Sequence, residues 1–280
     1  MNIAPPTPDD LARLAPAFTA YPMHSEITIA GKIARFPHAV TANAMLPADW
    51  LASKHAAGSI HEPALVAWLF ALGAALAGRT VRFFDIGAAF GYFSALASCA
   101  FEEVEITAVE PNPALAAYVE MVLRANAVAD AKVENVLVSD SSGALDLAAR
   151  NFHYLPHGEA GGEAYRLCRV ETRALSDLLG APGNATDILK IDTEGWQAQF
   201  LPPASQLLIR RKAIVLLECD ALPKLTPFGR TNAQIVSPFL EFGYRLMWCD
   251  HRDPAFEVAG LAAFPEANER NSLAVLLPPD

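Results

Sequence analysis

At 280 residues, 52% of them hydrophobic and 19% charged, the chain has ample material for a buried core, which excludes a disordered protein. Its formal net charge is −10 and its longest basic run is the "RRK" at Arg210 to Lys212, so no nucleic-acid partner held by counterion release is expected. The four cysteines, Cys99, Cys168, Cys219 and Cys249, contain no C-x-x-C pair, so they suggest neither a zinc site nor a redox motif and fit a reducing cytoplasm.

The N-terminus "MNIAPPTPDD" lacks the basic-then-apolar order of a secretory leader. Residues 1–62 alternate proline, histidine and short apolar patches, with one amphipathic helix expected around "PDDLARLAPAF". Their composition sets them apart as an N-terminal extension, expected to cap the substrate side or to form a contact between identical subunits. The next run, "ALVAWLFALGAALAG" from Ala64 to Gly78, is uncharged for 15 residues and closed by Glu62 and Arg79. It falls short of the roughly 18 residues that span a bilayer, so a buried core helix and no membrane partner are expected.

Strand and helix patterns then alternate: "VRFFDIG", "YFSALASCAF", "EITAVEP", "PALAAYVEMVLRANAV". Such alternation predicts βαβ units and a parallel sheet. "KVENVLVS" reads as one strand and "SSGALDLAAR" as a hairpin turn with its return strand. Asn151 to Leu167, rich in glycine and polar groups, reads as a long functional loop. Strands follow at "DILKID", "AIVLLECD", "YRLMWCD" and "SLAVLLPP", the last two joined irregularly, as in an antiparallel hairpin. Residues 63–280 are thus expected to form one α/β domain.

If "VRFFDIG" is the first strand, Asp85 to Gly91 lies at the carboxyl edge of the sheet, where ligands bind. Gly87 would permit the tight turn, and Gly91 would let the helix start approach a ligand with no Cβ in between. Glu110, 19 residues beyond Gly91 at the end of the next strand, could accept hydrogen bonds from both hydroxyls of a ribose. A dinucleotide requires G-x-G-x-x-G, but position 89 is Ala and Asp85 would repel a pyrophosphate. None of the six tyrosines has a lysine four residues on, which removes a further dehydrogenase signal. The acid suits a ligand with positive charge, and S-adenosylmethionine, with its amino group and sulfonium, is the expected cofactor.

"FFDIGAAFGYFS", "AVEPNP", "NVLVSDSSGALDL", "ALSDLL" and "DILKIDTEGWQAQFL" occur in that order, preceded by "SIHEPALVAWL". From about Ile60 to Leu246 the chain resembles the FkbM-type methyltransferases, a class I S-adenosylmethionine-dependent family. It departs at Gln197, where that family often has a second glutamate. The resemblance implies a Rossmann-like sheet of seven strands and transfer of a methyl group to an alcohol oxygen of a sugar or polyketide-type natural product. It also implies a cofactor site made of Asp85, Gly87, Ala88, Gly91, Tyr92, Glu110 and Pro111, with Asn135 and Val136 beside the adenine.

An alcohol is a poor nucleophile at neutral pH, so a base or a metal is expected beyond the strand ends. Asp192, at the end of "DILKID", is the first candidate for catalysis. Glu194 lies two residues on, pointing the same way if the segment is extended, and is the second. His251 and His153 are the histidines singled out from seven, with His157 in the same loop as His153. Lys190 is expected to pair with a neighbouring carboxylate, and Tyr92 and Trp196 to pack against the sheet. No metal is assigned; the alternative to a side-chain base is Mg²⁺ held by Asp192, Glu218 and Asp220. The competing functions are N-methylation of a small molecule and cofactor binding without catalysis. "DTEG" is unlike the N/D-P-P-Y/F tetrapeptide of many amino-group enzymes.

Overall fold

The computed structural model describes residues 3–40, 45–55, 58–128, 131–150, 153–156 and 166–279. The chain starts with α1 (Pro8–Arg13), closed at its N-terminus by a reciprocal cap in which Thr7 Oγ1 accepts from Asp10 N and the Asp10 carboxylate accepts from Thr7 N. The helix is shorter than the sequence pattern suggests. Ala15 turns into the left-handed region and Ala17 opens a strand. β1 (Ala17–Ala20), β2 (His24–Ile29) and β3 (Lys32–Pro37) form an antiparallel meander. A short β4 (Ala39–Val40) and β5 (Met45–Leu46) pair, and α2 (Ala48–Lys54) follows.

The uncharged run forms α3 (Pro63–Ala75), buried along most of its length. It lies close to α4 (Tyr92–Ala100): a Cβ on Gly73 would stand 2.2 Å from the Ala100 carbonyl oxygen. Among the described residues no helix is long and apolar enough to cross a membrane.

Seven strands build the main sheet. β6 (Thr80–Ile86), β7 (Glu103–Val109) and β8 (Lys132–Glu134) run outward on one side, with α5 (Pro113–Ala125) between the last two. The chain returns to the other side of β6 with β13 (Thr186–Ile191) and β14 (Ile214–Cys219), joined by α7 (Gln197–Arg210). α8 (Leu222–Leu225) and α9 (Asn232–Glu241) lead to β15 (Arg245–Cys249), and β16 (Ser272–Leu277) slots between β14 and β15. β16 alone runs against the direction of the other six strands. The fold is the expected mostly parallel, Rossmann-like sheet ending in an antiparallel hairpin.

Alternate residues of the central strands feed two cores. Phe83, Ile188 and Leu216 face α3, α4 and α5, while Phe84, Leu189 and Val215 face α7 and α9. The first core also takes Ile27, Ile29 and Phe36 from the N-terminal meander, so extension and sheet share one apolar cluster.

Two expectations change. "KVENVLVS" is two strands: β8 stays in the main sheet, and β9 (Leu137–Ser139) leaves it to join a second sheet. That sheet, ordered β11-β10-β12-β9, contains β10 (Gly143–Arg150), β11 (His153–Pro156) and β12 (Arg166–Ala174), after which comes α6 (Leu175–Leu179). The expected loop from Asn151 to Leu167 therefore holds a strand and the start of another. Its centre, with His157, lies outside the described residues.

Candidate active site

The order of the main sheet reverses at β6, and a cavity of about 240 Å³ opens beyond the strand ends there. Gly87 makes that geometry possible. It has φ +78°, and a Cβ would stand 1.8 Å from the Asp192 carbonyl oxygen. Gly91, at φ +68°, instead makes room for helix packing: a Cβ would meet Val119 Cγ1 at 3.3 Å. It does not border the cavity, so the expected close approach to a ligand belongs to Gly87 and Ala88. Ala89, at φ +46°, occupies the left-handed region without a glycine's freedom.

Glu110 borders the cavity just after β7. Its Oε2 accepts from Ala89 N at 2.9 Å and its Oε1 from Asn112 N at 2.8 Å. Burial nevertheless pushes its pKa up to about 7. A carboxylate has about four lone-pair sites, so each oxygen can still accept one more donor. Pro111, Tyr92 and Val136 line the same space. Asn135 does not. Its Nδ2 donates to the Glu110 carbonyl at 2.8 Å, tying together the turns after β7 and β8.

Asp85 also stays out of the cavity. Ser94 Oγ donates to its Oδ2 at 2.7 Å, and Lys190 Nζ stands 3.3 Å from its Oδ1. Its counter-charge is the lysine, as expected for Lys190, so a cationic ligand would meet Asp85 only across that lysine. Lys190 also lies 3.6 Å from Asp192 Oδ2 and donates to the Gly87 carbonyl at 3.0 Å.

Asp192 lines the cavity with its side chain 25% exposed. Burial opposes its ionisation, but the Lys190 ammonium and a hydrogen bond from Glu218 hold its carboxyl below the usual range. Glu218, on β14 and also at the cavity wall, goes the other way: burial and the Asp192 carboxylate push its pKa far up. The two adjacent carboxyls are thus pushed in opposite directions.

Glu194 borders the cavity but does not follow Asp192 in direction. Its φ is +55°, so the segment is not extended, and it pairs with Lys224. Asp220 is buried away from the cavity, with Lys224 Nζ at 2.6 Å and Gln197 Nε2 at 2.8 Å. The chain leaves β14 after Cys219, which breaks the alternation that would have set Glu218 and Asp220 on one face. The expected Asp192–Glu218–Asp220 metal set is therefore not assembled. Trp196 packs as expected, donating from Nε1 to the Val138 carbonyl at 2.8 Å.

His251 follows β15 and is 1% exposed, behind the wall made by Glu62 and Glu218. His153 belongs to β11, the outer strand of the second sheet. Trp50, Lys54, His61, Glu62 and Arg252 also line the cavity, and the sequence did not single them out. Burial lowers the His61 pKa to about 4, which leaves a neutral imidazole. Glu62 had read only as the charge that closes α3; "SIHEP", already part of the sequence resemblance, was the available signal.

A family-level sequence model described as a methyltransferase FkbM domain matches residues 85–246, more than half of the chain. No curated protein matches. Among solved structures, methyltransferase FkbM from Methylobacillus flagellatus KT is 14% identical with a TM-score of 0.46, over 70% of this chain and 43% of that one. The present chain thus spans less than half the length of that relative. Precorrin-6y C5,15-methyltransferase from Geobacter metallireducens GS-15 is 13% identical, with a TM-score of 0.41, over 86% of this chain and 94% of that one. An O-methyltransferase described as putative from Klebsiella pneumoniae is 10% identical, also at 0.41, over 77% and 79%.

Proposed function

Because the chain belongs to the FkbM methyltransferase family, we propose that it is an O-methyltransferase acting on a hydroxyl of a small molecule, of the sugar or polyketide type. The residues around Glu110 fit the cofactor of that family. A buried carboxylate with a raised pKa and unused lone pairs gains from two donors, which a ribose diol supplies. Gly87 and Ala88 would lie along the ligand, and Val136 and Leu137 offer an apolar wall for its adenine. When bound, S-adenosylmethionine supplies an electrophilic methyl group on a sulfonium, which becomes a neutral thioether once the acceptor oxygen has taken the methyl.

The chain's own chemistry concerns the proton of the acceptor. The observation that carries this reading is the Asp192–Glu218 pair, two adjacent carboxyls with pKa values pushed in opposite directions at the wall of the cavity that Glu110 also lines. Asp192 Oδ accepts the hydroxyl proton as the oxygen is alkylated, and its interactions with Lys190 and Glu218 favour the carboxylate form. Glu194, held by Lys224, adds negative charge to the same wall. The absence of an N/D-P-P-Y/F tetrapeptide at "DTEG" favours oxygen over nitrogen as the acceptor. Trp50, Lys54 and His61 line the cavity, which supports a capping role for the N-terminal extension. The cysteines are free, three of them buried, and suit a reducing cytoplasm.

Asp192→Asn and Asp192→Ala test the assignment. Each should slow methyl transfer by roughly 10²–10⁴-fold, the range of one general base, with cofactor affinity within about threefold of wild type. An acceptor screen that finds methylation intact in both variants would remove Asp192 from the chemistry.

A further inference from the structure

The geometry points to a site for one divalent transition-metal ion, formed by Glu62, Glu218 and His251 at the floor of the cavity. The three residues come from different parts of the chain: the residue before α3, the end of β14 and the turn after β15. All are buried, and one ligand atom from each lies within 4.8 Å of the others. His251 Nε2 stands 3.5 Å from Glu62 Oε1 and 3.6 Å from Glu218 Oε1. Those separations are long for an N–H···O hydrogen bond to either oxygen. An ion about 2.0–2.2 Å from each of two tetrahedral ligands holds them about 3.3–3.6 Å apart. The histidine is spaced for an ion shared with both carboxylates.

The ring supplies an independent sign. His251 is 1% exposed, and neither of its nitrogens has a hydrogen-bond partner among the described residues. Buried imidazole nitrogens are ordinarily satisfied, and here Nε2 has a carboxylate oxygen on each of two sides at ligand spacing. Charge agrees. Glu62 is 5% exposed and, among the described residues, its ion pairs are with His61 and His251 rather than with a lysine or arginine. Nearby, Asp85 and Asp192 share Lys190, and Glu218 has Arg252 Nη2 at 3.1 Å. Glu62 thus has no lysine or arginine within ion-pair distance among the described residues, and a dication would supply a counter-charge.

One imidazole and two carboxylates select a first-row ion of the zinc, manganese or iron(II) class over magnesium or calcium, which prefer all-oxygen sets. Asn271 Nδ2 donates to Glu218 Oε1 at 2.9 Å and would orient that ligand from outside. Glu62 and Glu218 border the cavity, so the open coordination position faces it and would take the oxygen of an acceptor hydroxyl. That last role rests on the methyl-transfer reading above; the ion site itself does not.

The test uses the full chain, stripped with a chelator and titrated with Co²⁺ while visible absorption is followed. One equivalent should bind with a d–d spectrum that Zn²⁺ abolishes. His251→Ala and Glu62→Gln should each weaken it about 100-fold, and His24→Ala, in the N-terminal sheet, should leave it unchanged. Pulsed EPR of the Mn²⁺-loaded wild type should detect an imidazole nitrogen, a result independent of whether any variant folds. Failure of the wild type to bind a single equivalent, binding that ignores His251→Ala, or Mn²⁺ without nitrogen coupling overturns the site. S-adenosylmethionine titration of the same metal-free sample separates the two proposals: cofactor binding without metal uptake overturns only the metal.

Discussion

The Gly87 hydrogen that faces the Asp192 carbonyl leaves no room for a methyl group, because the obstruction is backbone from the neighbouring strand end. Gly87→Ala should lower stability by at least ~3 kcal/mol in urea unfolding, from the clash and the positive φ together. A loss under 1 kcal/mol would show that β6 and β13 are further apart than described. Glu110 gives a prediction in pH. Its pKa stands at about 7 without ligand, and hydroxyl donors favour the ionised form, so ligand binding must lower it. S-adenosylmethionine affinity should therefore rise as pH climbs toward 7 and flatten above it, with proton release near neutrality. Calorimetry in two buffers of different ionisation heat reads that release. A wild type that releases none, or a Glu110→Gln variant that keeps the slope, contradicts the ribose contact. Gly87 and Glu110 were legible because local spacing ties each to a strand end. His251 was singled out as a candidate base, but its relation to Glu62 was not legible, because that depends on α3, β14 and β15 converging.

At the level of elements, the alternation of apolar runs with helical stretches located the strands of the main sheet, most plainly β13 and β14, which are buried on both faces and read as continuous apolar runs. The second sheet was hidden because "KVENVLVS" has no glycine or proline where β8 gives way to β9. The break is enforced instead by Asn135, whose amide is taken by the Glu110 carbonyl. The start of α7 is held in a similar way. Gln197 is fully buried; its Oε1 accepts from Thr193 Oγ1 and Gly195 N, and its Nε2 donates to the Glu218 carbonyl and Asp220 Oδ2. A glutamate there would lose both donated bonds and face Asp220 with like charge. Gln197→Glu should destabilise by about 2–3 kcal/mol at pH 7.5, and less at pH 5 as the carboxyls protonate. Equal urea midpoints for variant and wild type at pH 7.5 would remove the amide from its assigned role.

Across the whole molecule, the N-terminal extension looked like an appendage by composition, yet its meander feeds the core beneath α3, α4 and α5. Composition could not reveal this, because short apolar patches mark burial only when their partner surface is known. Deleting residues 1–59 should uncover that core, giving loss of a cooperative thermal transition and aggregation on size exclusion. A truncated protein that stays monodisperse and binds cofactor like the full chain would make the extension dispensable. The sheet carries one more consequence, in time rather than space. β16 lies between β14 and β15 but leaves the ribosome after both. At about 5–20 residues per second, roughly 3–12 s separate synthesis of Cys219 from that of Leu277. Throughout that interval the nascent chain presents the apolar margin of β14 with its proper neighbour still unmade, and that window is when a chaperone has most to protect.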